Sequence, residues 1–146
     1  MADIIKERYP DVEVIAGVAT GAIAHGYLVA HILGLPFCYV RPKPKDHGTG
    51  SQIEGCLEEG AKVVIVEDLI STGMSSLAAK NALVNAGADI KGMVAIFSYN
   101  FNKARKAFED DNVELTTLSN YDTLVEVAHE IGYIKEEDIE VLKEWR

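Results

Sequence analysis

The chain alternates short apolar runs with segments of helical character, and this alternation most constrains its fold. VEVIAGV (12–18), KVVIVED (62–68) and GMVAIFSY (92–99) are apolar runs of strand length. Such runs are typical of strands buried on both faces of a parallel sheet. Shorter strands are predicted at 37–41 and 113–118, and helices at 22–33, 75–86, near 101–109, 121–131 and 135–145.

Turn-forming residues separate these segments. Gly34, Gly87 and Gly132 follow predicted helices, as C-terminal glycines do. Ser119 and Asp122 predict a capping box for the helix over 121–131. The stretch 42–55, PKPKDHGTGSQIEG, is rich in proline and glycine and is therefore predicted to be a loop.

Buried strands alternating with helices predict an α/β fold, a three-layer sandwich with a mainly parallel central sheet. We expect one domain over 1–146, because 146 residues suffice for one hydrophobic core. Ligands of such sheets bind beyond the carboxyl ends of the strands. The loops after Val18, Arg41, Asp68 and Tyr99 are therefore the places where a site is expected.

The charge balance limits the partners of the chain. Its net charge is −9, from 23 acidic residues against 14 Lys and Arg, which argues against nucleic acid and anionic membranes as partners. An anionic ligand must therefore be held by a local cluster of positive groups. Cys38 and Cys56 match no zinc or redox motif, and no signal peptide or membrane-spanning run is recognisable, so we expect reduced thiols and a cytoplasmic protein.

The segment DLISTGMSS (68–76) combines small hydroxyl residues and a glycine at a predicted helix start. The first amides of a helix lack intrahelical partners and lie at the positive end of its dipole, so 71–76 could hold a phosphate. An ordinary helix N-terminus without a ligand explains these residue types equally well. The segment is not a P-loop, because GxxxxGK[ST] is absent.

Two carboxylates, Glu67 and Asp68, directly precede that segment. Carboxylates repel a phosphate unless something neutral or cationic lies between them. Ribose hydroxyls can donate to carboxylates, and Mg²⁺ can bridge carboxylate and phosphate oxygens. Phosphoribosyl pyrophosphate carries ribose hydroxyls, phosphates and bound Mg²⁺, so it would suit both the two carboxylates and the segment 71–76. The alternative is that the two acids form a solvated strand end without a ligand.

VVIVEDLISTG resembles the phosphoribosyl-pyrophosphate signature of type I phosphoribosyltransferases. The chain as a whole resembles, more narrowly, the orotate phosphoribosyltransferases. The other matching pieces follow in the family order: VIAGVATGAIAHG (14–26), YVRPKPKDHGTGSQIEG (39–55) and GMVAIFSY (92–99). The combination of KDHG with EDLISTG is far more specific than either motif alone.

This resemblance implies a homodimeric transferase that forms orotidine 5′-monophosphate and pyrophosphate from phosphoribosyl pyrophosphate and orotate in pyrimidine synthesis. It also implies Mg²⁺, bound mainly through the substrate pyrophosphate. The residues expected at the ribose and the 5′-phosphate are Glu67, Asp68, Leu69, Ile70, Ser71, Thr72, Gly73, Met74 and Ser75.

The loop RPKPKDHGTG (41–50) is the densest positive cluster in this acidic chain. Its prolines and glycines suit a lid over an anion, although an ordinary solvated basic loop is the alternative. The resemblance implies that the lid closes over the pyrophosphate of the neighbouring subunit's site, with Lys45 catalytic beside Asp68 and with Arg41, Lys43 and His47 in support. Some family members carry lysine directly after the arginine; this chain has Pro42 there, and Lys43 could substitute.

Two further turns complete the predicted site. The amides of Ala19, Thr20 and Gly21 could hold a second anion, and the resemblance makes them pyrophosphate contacts. Ser71, Tyr99 and Asn100 are the candidate base-binding residues, although many orotate enzymes carry an arginine near Tyr99. His25 and His31 are interpreted as packed or capping residues rather than metal ligands.

The family normally has a strand-and-helix segment before the VIAG strand that supplies much of the base pocket, and we expect that segment to be absent here. Three alternatives to the orotate reaction remain. The first is a purine-base phosphoribosyltransferase, but the KDHG loop argues against it. The second is a non-catalytic sensor of the donor, and the third is an incomplete domain that folds without activity.

Overall fold

The computed structural model describes residues 1–43 and 51–145. The strands within them are β1 (Val14–Val18), β2 (Phe37–Val40), β3 (Ile53–Gly55), β4 (Lys62–Ile70), β5 (Asp89–Ser98) and β6 (Leu115–Asn120). These six strands form one sheet in the order β3-β2-β1-β4-β5-β6, and only β3 runs antiparallel to its neighbour β2. The predicted α/β class with a mainly parallel sheet is therefore confirmed.

Helices cover both faces of the sheet, as a three-layer sandwich requires. One face packs Ile5 of α1 and Val29 of α2 against Ile15 and Val64, and the other packs Leu83 of α3 and Phe108 of α4 against Ile65. Because β1 and residues 63–66 of β4 contribute alternate residues to both layers, these stretches are continuously apolar. The helices are α1 (Ala2–Arg8), α2 (Ala22–Leu33), α3 (Met74–Asn85), α4 (Asn102–Asp110), α5 (Tyr121–Glu130) and α6 (Glu136–Glu144).

Three local predictions were wrong or incomplete. Strand β3 lies in the stretch 42–55 that the prolines and glycines led us to predict as a loop. Helix α1 was not predicted; it is held by Ile5 in the core and by Arg8, whose guanidinium donates to Glu114 at 2.8 Å. The cap of α5 is Asn120, whose side chain accepts from the Thr123 amide, so the capping box from Ser119 was wrong.

Neither membrane spanning nor disulfide formation is seen in the described part of the chain. No helix there combines the length and the apolar character needed to cross a bilayer. Cys38, which is buried, and Cys56, which is exposed, are both free thiols.

Helix α2 packs unusually close to β1, and this contact positions its N-terminus. A Cβ atom built on Gly26 would lie 2.8 Å from Cε2 of Phe37 and 3.2 Å from Cα of Gly17. A Cβ on Gly17 would likewise lie 2.8 Å from the carbonyl oxygen of Ala22. Two glycines facing each other thus allow the helix to lie directly on the strand.

We expect Gly26→Ala to destabilise the protein by about 1–3 kcal/mol, because the added methyl forces α2 away from β1. Alanine is the better helix former by roughly 1 kcal/mol, so this substitution would be stabilising without the close contact. The measurement is urea unfolding followed by circular dichroism.

Exposed Ala24 on the same helix provides the control, since Ala24→Gly should cost only the helix propensity of about 1 kcal/mol. A Gly26→Ala protein more stable than the wild type would show that α2 does not pack this closely.

Candidate active site

The carboxyl ends of the central strands meet at one edge of the sheet, and two helices begin there. Helix α2 follows β1 after a turn of three residues, and α3 follows β4 after another. The positive ends of both helix dipoles therefore point toward the end of β4, where Glu67 and Asp68 lie. This brings together the predicted phosphate turn, the predicted pyrophosphate turn and the two acids.

The turn that leads into α3 is suited to bind an anion. Gly73 caps the helix with φ +79°, and its Cα faces the ring of Phe108, where a Cβ would come within 2.8 Å of Cε2. Only glycine meets both conditions. Ser71 and Ser75 are exposed, and the first amides of a 12-residue helix have no intrahelical partner.

The turn that leads into α2 offers fewer amides than the sequence suggested. The amide of Ala19 donates to the carbonyl of Val40 at 2.9 Å, so it is already engaged. Thr20 and Gly21 are exposed, and the peptide bond between Ala19 and Thr20 is cis. The amides of Thr20 and Gly21 remain as the predicted anion contacts.

Asp68 lies against the N-terminus of α2. A Cβ on Gly21 would be only 1.9 Å from Oδ2 of Asp68, so the absence of a side chain there leaves room for the carboxylate. The other oxygen, Oδ1, accepts from the Leu69 amide at 2.9 Å. The half-buried carboxylate is thus held at the edge of the sheet between β4 and α2.

Glu67 faces the opposite layer, because neighbouring residues of a strand point to opposite faces. It is only 4% exposed, and its Oε2 accepts from the hydroxyl of Ser76 on α3 at 2.8 Å. Its Oε1 accepts from the Asp68 amide at 3.0 Å. We expected both acids at the ribose and the Ser76 hydroxyl at the phosphate. Instead, the side chains of Glu67 and Ser76 are hydrogen-bonded to each other.

The pKa of the Glu67 carboxyl is raised from 4.5 to about 7, chiefly because the group is buried, and the neighbouring Asp68 carboxyl acts in the same direction. The hydrogen bonds from Ser76 and from the Asp68 amide oppose this shift. Desolvation dominates because the charged form loses its hydration in the interior.

The base of the predicted lid lies beside both turns. Arg41 exchanges hydrogen bonds with Gln52, and its guanidinium lies 3.8 Å from the Glu54 carboxylate. One small cavity of about 100 Å³ is lined by Ala19, Arg41 and Ser75. The turn before α2, the base of the lid and the start of α3 therefore meet there. Lys43 is exposed, whereas Lys45 and His47 lie outside the described residues.

Leu69 and Ile70, which follow the two acids in the signature, carry apolar side chains. Leu69 is 41% exposed, and Ile70 is fully buried in the core. The carbonyl of Ile70 accepts from the Tyr99 amide at 3.0 Å, which joins the ends of β4 and β5.

The predicted base-binding residues follow β5. The Tyr99 ring stacks on Phe101 and meets Trp145 edge-on, with centroids 5.5 and 5.7 Å away. Asn100 has φ +57°, and its side-chain amide donates to Asp122 at 3.2 Å. Both side chains are thus engaged within the protein, and their role in base binding stays a prediction.

The two histidines of α2 lie on its exposed surface. His25 and His31 are both exposed, and the His31 ring stacks on Tyr27 at 6.4 Å, so neither is a packed core residue. In the two described ranges, no three His, Cys, Asp or Glu side chains cluster as metal ligands would.

A phosphoribosyl transferase domain model matches residues 1–130. The orotate phosphoribosyltransferase of Lactococcus lactis subsp. cremoris (strain MG1363) is 52% identical over 99% of this chain and 69% of its own length. That of Streptococcus pneumoniae serotype 19F (strain G54) is 55% identical with the same coverage.

A solved structure of similar shape is the orotate phosphoribosyltransferase from Aeropyrum pernix. It has a TM-score of 0.76 and 27% identity, and the match covers 92% of this chain and 75% of that one. Fold and sequence together therefore define the chain as a phosphoribosyl transferase. Within that class, it belongs to the orotate phosphoribosyltransferase family.

The raised pKa of Glu67 predicts a pH-dependent stability. Between pH 4.5 and about 7 the folded state holds a proton that the unfolded state has lost. Stability should therefore fall as pH rises through that window. Glu67→Gln removes this titration, so the stability of the variant relative to the wild type should rise by roughly 2–3 kcal/mol between pH 4.5 and 7.5.

Urea unfolding of both proteins across this pH range measures the difference. Exposed Glu126 on α5 provides the matched control, and Glu126→Gln should show no comparable slope. Parallel curves for Glu67→Gln and wild type would contradict the raised pKa.

Proposed function

We propose that the protein transfers the phosphoribosyl group of phosphoribosyl pyrophosphate to orotate. The products are orotidine 5′-monophosphate and pyrophosphate, in the de novo synthesis of pyrimidines. The observation that carries this proposal is the half-buried Asp68 carboxylate between two helix N-termini, in a chain of the orotate phosphoribosyltransferase family. One carboxylate between two anion-binding turns suits a sugar with phosphates at both ends.

The donor is proposed to lie across the end of β4. The 5′-phosphate would accept from the amides and hydroxyls of 71–75 at the start of α3. The ribose hydroxyls would donate to Asp68, and the pyrophosphate would lie near the amides of Thr20 and Gly21. Glu67 supports this arrangement from the buried side of the strand.

In the reaction, a pyrimidine nitrogen gives up its proton to the departing pyrophosphate or to water and forms a bond to ribose C1 as the bond from C1 to pyrophosphate oxygen breaks. The departing oxygen keeps the electron pair, and positive charge develops on the ribose ring. Lys45 and the amides of Thr20 and Gly21 would stabilise the leaving pyrophosphate, with Arg41, Lys43 and His47 in support. Asp68 would stabilise the positive charge on the ring.

Mg²⁺ would supply further neutralisation of the pyrophosphate. The Asp68 carboxylate at this edge offers oxygen atoms of the kind that Mg²⁺ prefers. Asp68 would be the protein carboxylate nearest to that metal, because Glu67 is buried in the opposite layer.

We also propose a homodimer with the lid acting in trans, as the resemblance to the family implies. The outer face of α2 exposes Tyr27, Leu28 and Ile32 at 57%, 55% and 68%, an apolar patch that a second copy could cover. A cytoplasmic location is proposed because the free thiols of Cys38 and Cys56 fit a reducing compartment.

The deciding experiment is orotate-dependent release of pyrophosphate. We expect release only when phosphoribosyl pyrophosphate, Mg²⁺ and orotate are all present. Asp68→Asn should weaken donor binding in calorimetry about tenfold or more, because an amide is a poorer acceptor for ribose hydroxyls. Release with adenine or guanine but not with orotate would refute the base assignment, and undiminished donor affinity of Asp68→Asn would refute the role of the carboxylate.

Lys45→Ala should lower turnover by roughly 10²–10³-fold while changing donor affinity much less. The lysine is proposed to act on charge that develops only as pyrophosphate leaves, so its effect belongs to the transition state. Steady-state kinetics separate the two effects. Exposed Lys6 on α1 supplies the control, since Lys6→Ala should leave both the turnover and the donor affinity unchanged.

Mixing Lys45→Ala with Asp68→Asn then tests the lid in trans. A mixed dimer would contain one site with both functional residues, so part of the activity should return. No recovery would mean that each site is complete within one chain, and unchanged turnover of Lys45→Ala alone would refute its catalytic role.

A further inference from the structure

A buried hydrogen bond joins α3 to the end of β4. Ser76 and Glu67 are 1% and 4% exposed, and the Ser76 hydroxyl donates to Glu67 Oε2 at 2.8 Å. In the described part of the chain, the buried polar or charged residues are these two and Ser98. Burying a carboxyl group is costly even when it is hydrogen-bonded, so a pair like this calls for an explanation beyond packing.

The carboxyl of Glu67 connects two parts of the proposed donor site. Its second oxygen accepts from the amide of Asp68 at 3.0 Å. One oxygen therefore holds helix α3, and the other holds the peptide from which the Asp68 side chain extends. The phosphate turn and the ribose-facing carboxylate are linked through a single side chain.

The spacing of these two parts matters because the donor must contact both. Its ribose and 5′-phosphate are joined covalently, so a shift of α3 along β4 would break one contact whenever the other forms. Binding groups held in advance at the right separation lose little freedom when the ligand arrives. Ser76 is the first residue of α3 that is buried against the sheet, directly after the exposed Ser75.

We propose that Ser76 is a positioning residue for the donor, which holds the Glu67 carboxyl and thereby sets the separation between Asp68 and the phosphate turn 71–75. This inference rests on the proposed function, because it takes phosphoribosyl pyrophosphate as the ligand. The Ser76 hydroxyl is engaged by Glu67, so its side chain would act through Glu67 and not by contact with the donor.

The test is Ser76→Ala, which removes the hydroxyl and leaves a small residue suited to a helix. We expect the KM for phosphoribosyl pyrophosphate to rise about tenfold, because part of the binding free energy must then restore the separation between Asp68 and the phosphate turn. Turnover and the KM for orotate should stay within about twofold, because neither the leaving group nor the base contacts this pair.

A purely structural role would not produce this selective change. Ala82→Gly, farther along the same helix, provides the matched control, because it weakens α3 without touching Glu67. If Ala82→Gly lowers the melting temperature equally and raises the donor KM equally, the positioning role is refuted. Ser76→Thr retains the hydroxyl and should restore a donor KM near that of the wild type.

A second variant decides the matter if Ser76→Ala does not fold. Ser76→Cys keeps the shape of the side chain but donates only weakly. A raised donor KM at an unchanged melting temperature supports the inference, and an unchanged donor KM overturns it.

Calorimetry with phosphoribosyl pyrophosphate and Mg²⁺ separates failure of this inference from failure of the proposed function. Wild-type protein that does not bind the donor would refute the proposed function and the inference with it. Wild-type and Ser76→Ala proteins that bind the donor with equal affinity would refute the inference alone.

Discussion

The site depends on the close packing of helix α2 against strand β1. Gly17 and Gly26 face each other there, and a side chain on either would meet backbone or the Phe37 ring at about 3 Å or less. This approach brings the N-terminus of α2 beside β4, where Gly21 leaves room for the Asp68 carboxylate. A helix held one side chain farther away would move its amides out of reach of a ligand bound at Asp68.

The adjacent acids Glu67 and Asp68 occupy different layers of the fold. Asp68 stays half-buried on the side of α2, whereas Glu67 turns into the core toward Ser76 on α3. The strand pleat causes this separation, because neighbouring side chains point in opposite directions. The pair thus combines one half-buried carboxylate at the edge of the sheet with one that ties helix α3 to the sheet.

Most of the fold could be predicted from the sequence, because buried parallel strands have a strong apolar signal. Helix α2 was predicted with its observed bounds, and β4 was recognised but continues two residues farther. Helix α1 and strand β3 were missed because long-range contacts stabilise them. The side chains of Arg8 and Tyr9 donate hydrogen bonds to Glu114, which is more than 100 residues away in the chain. Strand β3 pairs with β2, although a segment rich in glycine and proline separates them in the sequence.

The sequence by itself determined the order of strands and helices and the motif that identifies the donor class, since both depend on local residue patterns. Only the tertiary structure decided which groups are available to a ligand. The Ala19 amide bonds Val40, the Tyr99 ring packs against Phe101 and Trp145, and Glu67 accepts from Ser76. Val40, Trp145 and Ser76 are distant in sequence from the residues that they contact, and only folding brings them together. No local sequence pattern could therefore have indicated these three contacts.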